Sequence, residues 1–202
     1  MTTADIQATG NLLATYHSDL VYIRNFQRYK QGQFTADKFV EKSAGTFYQF
    51  LIEFRVIRNF QAGKSASILR LTTDWINGST PNDVDGFANL LNKKKLTHDK
   101  IMTSLGSKIL FFNDPWTILP MDNLARRALG QKDNLFSTYL TNLALFKKGN
   151  SDTIKNNLDI IEPFLTTIES DFKKEIRDIK TVRQNRFVDK LLWTLGQVKQ
   201  KK

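Results

Sequence analysis

The chain has 202 residues, 30 Lys/Arg against 20 Asp/Glu for a formal net charge of +10, and 41% apolar residues in short, punctuated runs. That is enough for one sizeable core or for two small helical lobes sharing one. The absence of cysteine excludes disulfides, thiolate zinc sites, iron–sulfur clusters and cysteine nucleophiles.

Two histidines far apart, His17 and His98, leave little from which to build a metal site or a Ser-His-Asp triad. No run approaches the roughly 18 apolar residues of a membrane span. The start "MTTADIQATGN" has neither the basic nor the apolar segment of a signal peptide. The expectation is a soluble, cytoplasmic protein with no membrane partner, no cofactor and no metal.

In chain order the pattern is helical nearly throughout. Residues 11–31 form a first amphipathic stretch, with Leu12, Leu13, Tyr16, Leu20, Ile23 and Phe26 at three- and four-residue steps before Gly32. Thr35 reads as the N-cap of a long helix from Ala36 to about Gln61, whose stripe of Phe39, Phe47, Phe50, Phe54 and Ile57 makes it a central packing helix. "AGKS" at 62–65 is no phosphate loop: Arg58 stands where that motif needs a glycine, and a helix precedes it, so Ala62-Gly63 reads as a C-cap.

"SASILRLTTDWI" gives a shorter helix and "NGSTP" a turn. Thr80 then caps a helix with Pro81 first and Asp83 third, ending near Lys93-Lys94-Lys95. Thr97 caps another, interrupted or restarted at "SLGSK" and continuing through "ILFF". "NDPWTILP" is the least helical stretch. After it come Asp122–Leu129, closed by Gly130, and a helix from about Asn134 to Lys147. Residues 152–169 and 171–196 read as two helices or one kinked one, with Pro163 as a candidate start of the second.

β-branched alternation is nearly absent, so the fold class is all-α, a single helical domain divisible into lobes 1–96 and 97–202, with a flexible basic tail at 198–202. The pentapeptide "IRNFQ" at 23–27 and 57–61 has no similarity around it and reads as coincidence rather than a repeat.

Charge is uneven. Residues 171–202 hold ten Lys/Arg against four acids. Clustered cations are the footprint of a phosphate-backbone binder, and equally of a solvated helix face. Lys180, Arg183 and Arg186 recur at three-residue steps that would track a DNA backbone or form an ordinary wet face. In "VDKLLWTLG", Val188, Leu191, Leu192 and Leu195 share a packing face, Asp189 and Lys190 point to solvent, and Trp193 buries against the core.

Two short motifs remain: Ser104-Leu105-Gly106-Ser107-Lys108, and Pro120-Met121-Asp122 followed by Arg126-Arg127. Together, over residues 104–129, they resemble the core of the helix-hairpin-helix DNA glycosylases, where a G-V-G-x-K hairpin is followed by a Pro/Val-x-Asp motif and an arginine-bearing helix. Ser104 stands for the first glycine, and the interval from Lys108 to Asp122 is shorter than the family's by roughly one helical turn.

The resemblance implies a helix-hairpin-helix-like element binding double-stranded DNA. Ser104, Gly106 and Ser107 would hold a phosphate, joined by Arg126, Arg127 and the basic C-terminal helix. Phe111, Phe112 and Trp116 would line a pocket for a flipped base. Lys108 would attack the sugar carbon to form a Schiff base, with Asp122 orienting it.

Each residue also has a plainer role. Asp122 after a proline is an ordinary N-cap, Lys108 a surface or phosphate-contacting lysine, and Phe111 and Phe112 core, leaving Trp116 the better pocket residue. A looser resemblance links the chain to bacterial helical proteins with a late "DK-LW" pattern. Three functions stay open: a base-excision glycosylase with lyase activity, a DNA binder without chemistry, and a structural or protein-interaction helical domain of a bacterial or phage-related system.

Overall fold

The computed structural model describes residues 1–200, and Lys201 and Lys202 of the expected basic tail lie outside them. Among the described residues the chain is all-α with no strand. The helices are α1 (Thr3–Lys30), α2 (Ala36–Phe39), α3 (Phe47–Glu53), α4 (Ser65–Ile76), α5 (Val84–Lys93), α6 (Thr103–Asn113), α7 (Asn123–Ala128), α8 (Phe136–Gly149), α9 (Ser151–Glu169) and α10 (Ile179–Gln200), with a 3-10 turn at Ile57–Asn59. Residues 198–200 of the expected tail belong to α10.

By contacts the chain forms two compact units, a middle one (Val21–Ile118) and a terminal one in which Met1–Leu20 pack with the chain from Leu119 onward.

In the middle unit, the single long helix expected over 36–61 is instead α2, a loop, α3 and the 3-10 turn. The break is local chemistry. Gly45 takes φ +75, and a Cβ there would sit 2.7 Å from the Asn25 amide nitrogen, whose amide donates to the Gly45 carbonyl. Thr46 then caps α3, its hydroxyl accepting from Gln49 N. Thr35 does cap α2, accepting from Lys38 N.

The aromatic stripe is real as a cluster, though not as one helix face. Phe112 of α6 has its ring centroid 4.2 Å from Phe50 and 5.7 Å from Phe54, and Tyr22 and Phe26 of α1 close the group. The second "IRNFQ" is the 3-10 turn and Phe60, whereas the first lies within α1, so tertiary context decides between them.

Two further boundaries move. The cap of α5 is Asp83, accepting from Gly86 N at 2.8 Å, and Thr80-Pro81 form the turn before it. Thr97 caps nothing. It pairs with Phe60 in an isolated antiparallel bridge, its hydroxyl donating to the Lys100 carbonyl. Ala62-Gly63 is likewise no C-cap but a turn between that bridge and α4, with Gly63 at φ +76.

In the terminal unit α1 opens on a reciprocal cap: Thr2 N donates to the Asp5 carboxylate and Asp5 N to the Thr2 hydroxyl. Pro163 lies inside α9 and starts no helix. Residues 171–178 form turns, anchored by buried Phe172 and Ile176, so α10 begins at Ile179 rather than 171. α7 and α10 touch backbone to backbone at Gly196, where a Cβ would lie 2.1 Å from the Leu124 carbonyl oxygen.

Candidate functional site

The residues that resemble a glycosylase hairpin lie within α6, not in a turn. Ser104 to Lys108 are helical, Ser107 is buried with its hydroxyl on the Ser104 carbonyl, and Gly106 lets α6 approach α5. A Cβ on Gly106 would stand 3.4 Å from the Val84 carbonyl oxygen. The glycine serves helix contact, and the backbone N–H groups of this segment are directed along a helix rather than fanned toward a phosphate. Lys108 is half-buried, its Nζ donating to the Phe54 carbonyl at 3.2 Å.

Phe111 and Phe112 are core side chains and line no base pocket. Trp116 is half-buried in the 114–117 turn, where Asp114 accepts from Trp116 N, Thr117 N and the Thr117 hydroxyl. Asp122, in the terminal unit, caps α7 by accepting from Ala125 N at 2.9 Å, an interaction worth about 1 kcal/mol. Lys108 and Trp116 belong to the middle unit.

Arg126 donates to the Asp133 carbonyl at 2.6 Å, closing the loop after α7. One Nη of Arg127 is buried without a partner. Lys180 is exposed. Arg183 and Arg186 are not on a wet face: they are 7% and 1% exposed, too deep to reach a phosphate backbone.

Both arginines belong to a buried ionic network. Arg183 forks onto Glu169, Nε to Oε1 at 2.8 Å and Nη2 to Oε2 at 2.6 Å, and reaches Glu162 with Nη1. Tyr16 donates to the same Glu169 Oε1 at 2.8 Å. Arg186 binds Asp19 through Nε and Nη2, each at 2.8 Å, and Asp189 through Nη1 at 3.0 Å. Asp189 and Lys190, expected in solvent, are half-buried beside it, as is Trp193. Lys147 donates to Asn185 Oδ1 at 2.6 Å.

This environment displaces ionisation in opposite directions. Burial pushes Asp189 above the usual carboxylate range, with Arg186 and Lys190 opposing. Burial pushes Lys190 down, helped by Arg186 and resisted by the nearby carboxylates. Burial and the Glu169 carboxylate push Tyr16 up, and burial with Asp189 and Asp122 does the same to Tyr139. Such clusters mark functional sites and structural ion networks alike. Here Arg183 closes on Glu162 and Glu169, and Arg186 on Asp19 and Asp189, an arrangement that orders α1, α9 and α10 of the terminal unit.

The tyrosines yield a measurable consequence. A phenol with its pKa raised by folding stabilises the native state below its ordinary value of about 10, and that stability is lost as pH climbs beyond it. In an alkaline titration followed by phenolate absorbance, Tyr16 and Tyr139 should ionise only as the chain unfolds. Tyr16→Phe should remove one of these late ionisations. Five phenolates appearing while circular dichroism stays native would contradict the burial of both.

Acidic and basic side chains of the network are paired with one another, and no group of three or more His, Asp or Glu placed to hold a metal ion occurs among the described residues. No family model, curated protein or solved structure matches the chain.

Proposed function

We propose that the protein is a nucleic-acid-binding helical protein that contacts the phosphate backbone of double-stranded DNA and carries out no base excision. The observation that carries the reading is the distribution of charge: Asp19, Glu169 and Asp189 of the terminal unit are engaged with Arg183 and Arg186, while most lysines remain exposed. A surplus of exposed cations is what a polyanion requires. Glycosylase chemistry has less in its favour. It would need Lys108 as a free nucleophile, yet its amine is on the Phe54 carbonyl, and Asp122 is engaged as a cap.

The deciding experiment is binding of a labelled duplex containing an abasic site at two salt concentrations, followed by borohydride. Binding that weakens steeply with salt, with no trapped adduct, is the expected result. No binding at either salt would remove the DNA reading, and an adduct lost in Lys108→Gln would restore the lyase.

A second reading, a protein-interaction domain, is favoured by the exposed apolar side chains of α8 and α9, where Leu145, Ile160 and Phe164 are 66%, 58% and 64% exposed. It predicts concentration-dependent association that salt does not abolish.

A further inference from the structure

The C-terminal cations are neighbours in sequence, but the structure assembles a second group from two segments far apart in the chain. Phe60 and Thr97 form the isolated bridge of the middle unit, and Gln61 N donates to the Leu96 carbonyl at 3.3 Å, so residues 55–64 run beside residues 93–100. The first segment carries Arg55, Arg58 and Lys64, and the second Lys93, Lys94, Lys95 and Lys100. All seven side chains are exposed, as is His98.

None of the seven is engaged in an ion pair among the described residues. Asp99 is the one acid within the two segments, and Glu53 just upstream accepts from Gln49. Like charges gathered this closely repel, and an exposed carboxylate nearby would normally relieve them. Leaving seven unpaired charges together is unfavourable in the free protein and favourable on binding a polyanion, which releases its condensed counterions.

The bridge explains how the group is held. Three apolar residues of the two segments, Val56, Phe60 and Leu96, are buried and serve as anchors. Lys95 at φ +54 and Arg55 at φ +55 mark sharp reversals, one after α5 and one after α3, that bring the cations to the surface on both sides of the bridge. Lys108 adds its Nζ to the carbonyl of Phe54, fastening α6 to the residue before Arg55.

We infer that this seven-cation surface, Arg55, Arg58, Lys64, Lys93, Lys94, Lys95 and Lys100, is the site that engages the phosphodiester backbone of duplex nucleic acid. The inference rests on the DNA-binding reading above and gives it a location other than the C-terminal helix. A duplex suits the surface better than a single strand. Binding single strands relies on aromatic platforms for unstacked bases, and neither segment exposes a Phe, Tyr or Trp: Phe60, the one such residue in them, is 4% exposed, and the imidazole of His98 is their single exposed ring. An interface of lysine and arginine without base-edge chemistry reads the backbone and is indifferent to sequence.

The test uses the full chain and three proteins: wild type, K93Q/K94Q/K95Q, and a C-terminal control, K173Q/K174Q, whose lysines are exposed. Binding of a random-sequence duplex, the same single strand, and vesicles containing anionic lipid is measured across salt, with circular dichroism to check the fold. The triple variant should lose roughly 10- to 100-fold in duplex affinity at low salt, and its log–log salt slope should shallow by roughly three. The control should stay within about twofold of wild type.

Wild-type binding that K93Q/K94Q/K95Q leaves intact, or that the control weakens instead, would overturn the location while leaving the DNA reading standing. No duplex binding by wild type would remove the DNA reading itself. Tighter binding of the single strand, or binding only to vesicles, would overturn the assignment of duplex as the ligand.

Discussion

Replacing Glu169 by alanine is expected to lower stability by about 3–5 kcal/mol, among the largest effects of any single side chain in the protein. The carboxylate is fully buried and accepts three hydrogen bonds, two from Arg183 and one from Tyr16. Removing it leaves a guanidinium in a site with almost no water. Glu162, whose side chain is 49% exposed, holds only Nη1 and cannot replace a bidentate partner. The loss therefore measures an orphaned charge more than the net value of the pair.

Urea unfolding of Glu169→Ala, Arg183→Met and the double variant separates the two. The double variant should recover much of the loss, because apolar groups of similar volume need no counter-charge. A single-variant loss below about 1 kcal/mol would mean that water reaches the site.

Gly196→Ala should destabilise in spite of helix propensity. Within a helix, glycine to alanine normally gains about 1 kcal/mol. At Gly196 the new methyl would meet the backbone of Leu124, with its carbonyl oxygen at 2.1 Å and its carbonyl carbon at 2.6 Å. Backbone cannot rotate away as a side chain would, so α7 must shift from α10. Overpacking of this kind costs about 1–3 kcal/mol or more, which outweighs the propensity gain. Gly10, where a Cβ would meet nothing within 4 Å, is the matched control in α1 and should show the ordinary gain on conversion to alanine. A thermal melt in which both variants rise would show that α7 does not rest on Gly196.

The helical class and several helix ends were legible because their causes are local. Thr35 and Asp122 bond an amide three residues on, so the cap and its partner share one short window. Where the cause is distant, local reading misled. Phe39, Phe47, Phe50 and Phe54 fall at helical spacing, yet Phe39 and Phe47 meet from separate short elements while Phe50 and Phe54 pack on Phe112, and the Gly45-Thr46 break was hidden behind that spacing.

Gly106 looked like a hairpin glycine, but what it accommodates is α5, some twenty residues upstream in the chain. Arg183 and Arg186 at three-residue steps match a solvated face. Asp19 and Glu169, the first of them 167 positions from its partner, lie outside that local window and take up their charge. The cations of residues 55–64 and 93–100 are inconspicuous in their own windows, and a single bridge unites them.

The distance from Asp19 to Arg186 also bears on how the chain comes into being. Synthesis proceeds from the N-terminus at about 5–20 residues per second, so roughly 10–30 s separate the appearance of the two partners. Throughout that interval Asp19 has no Arg186 to meet, and residues 119–178, which supply apolar surface of its own unit, emerge only in the later part of it. Residues 21–118 emerge whole in the meantime and can close around their aromatic cluster. The order of emergence thus leaves the ionic network as the last event of assembly, and a nascent chain halted before α10 would carry a finished middle and an unfinished beginning.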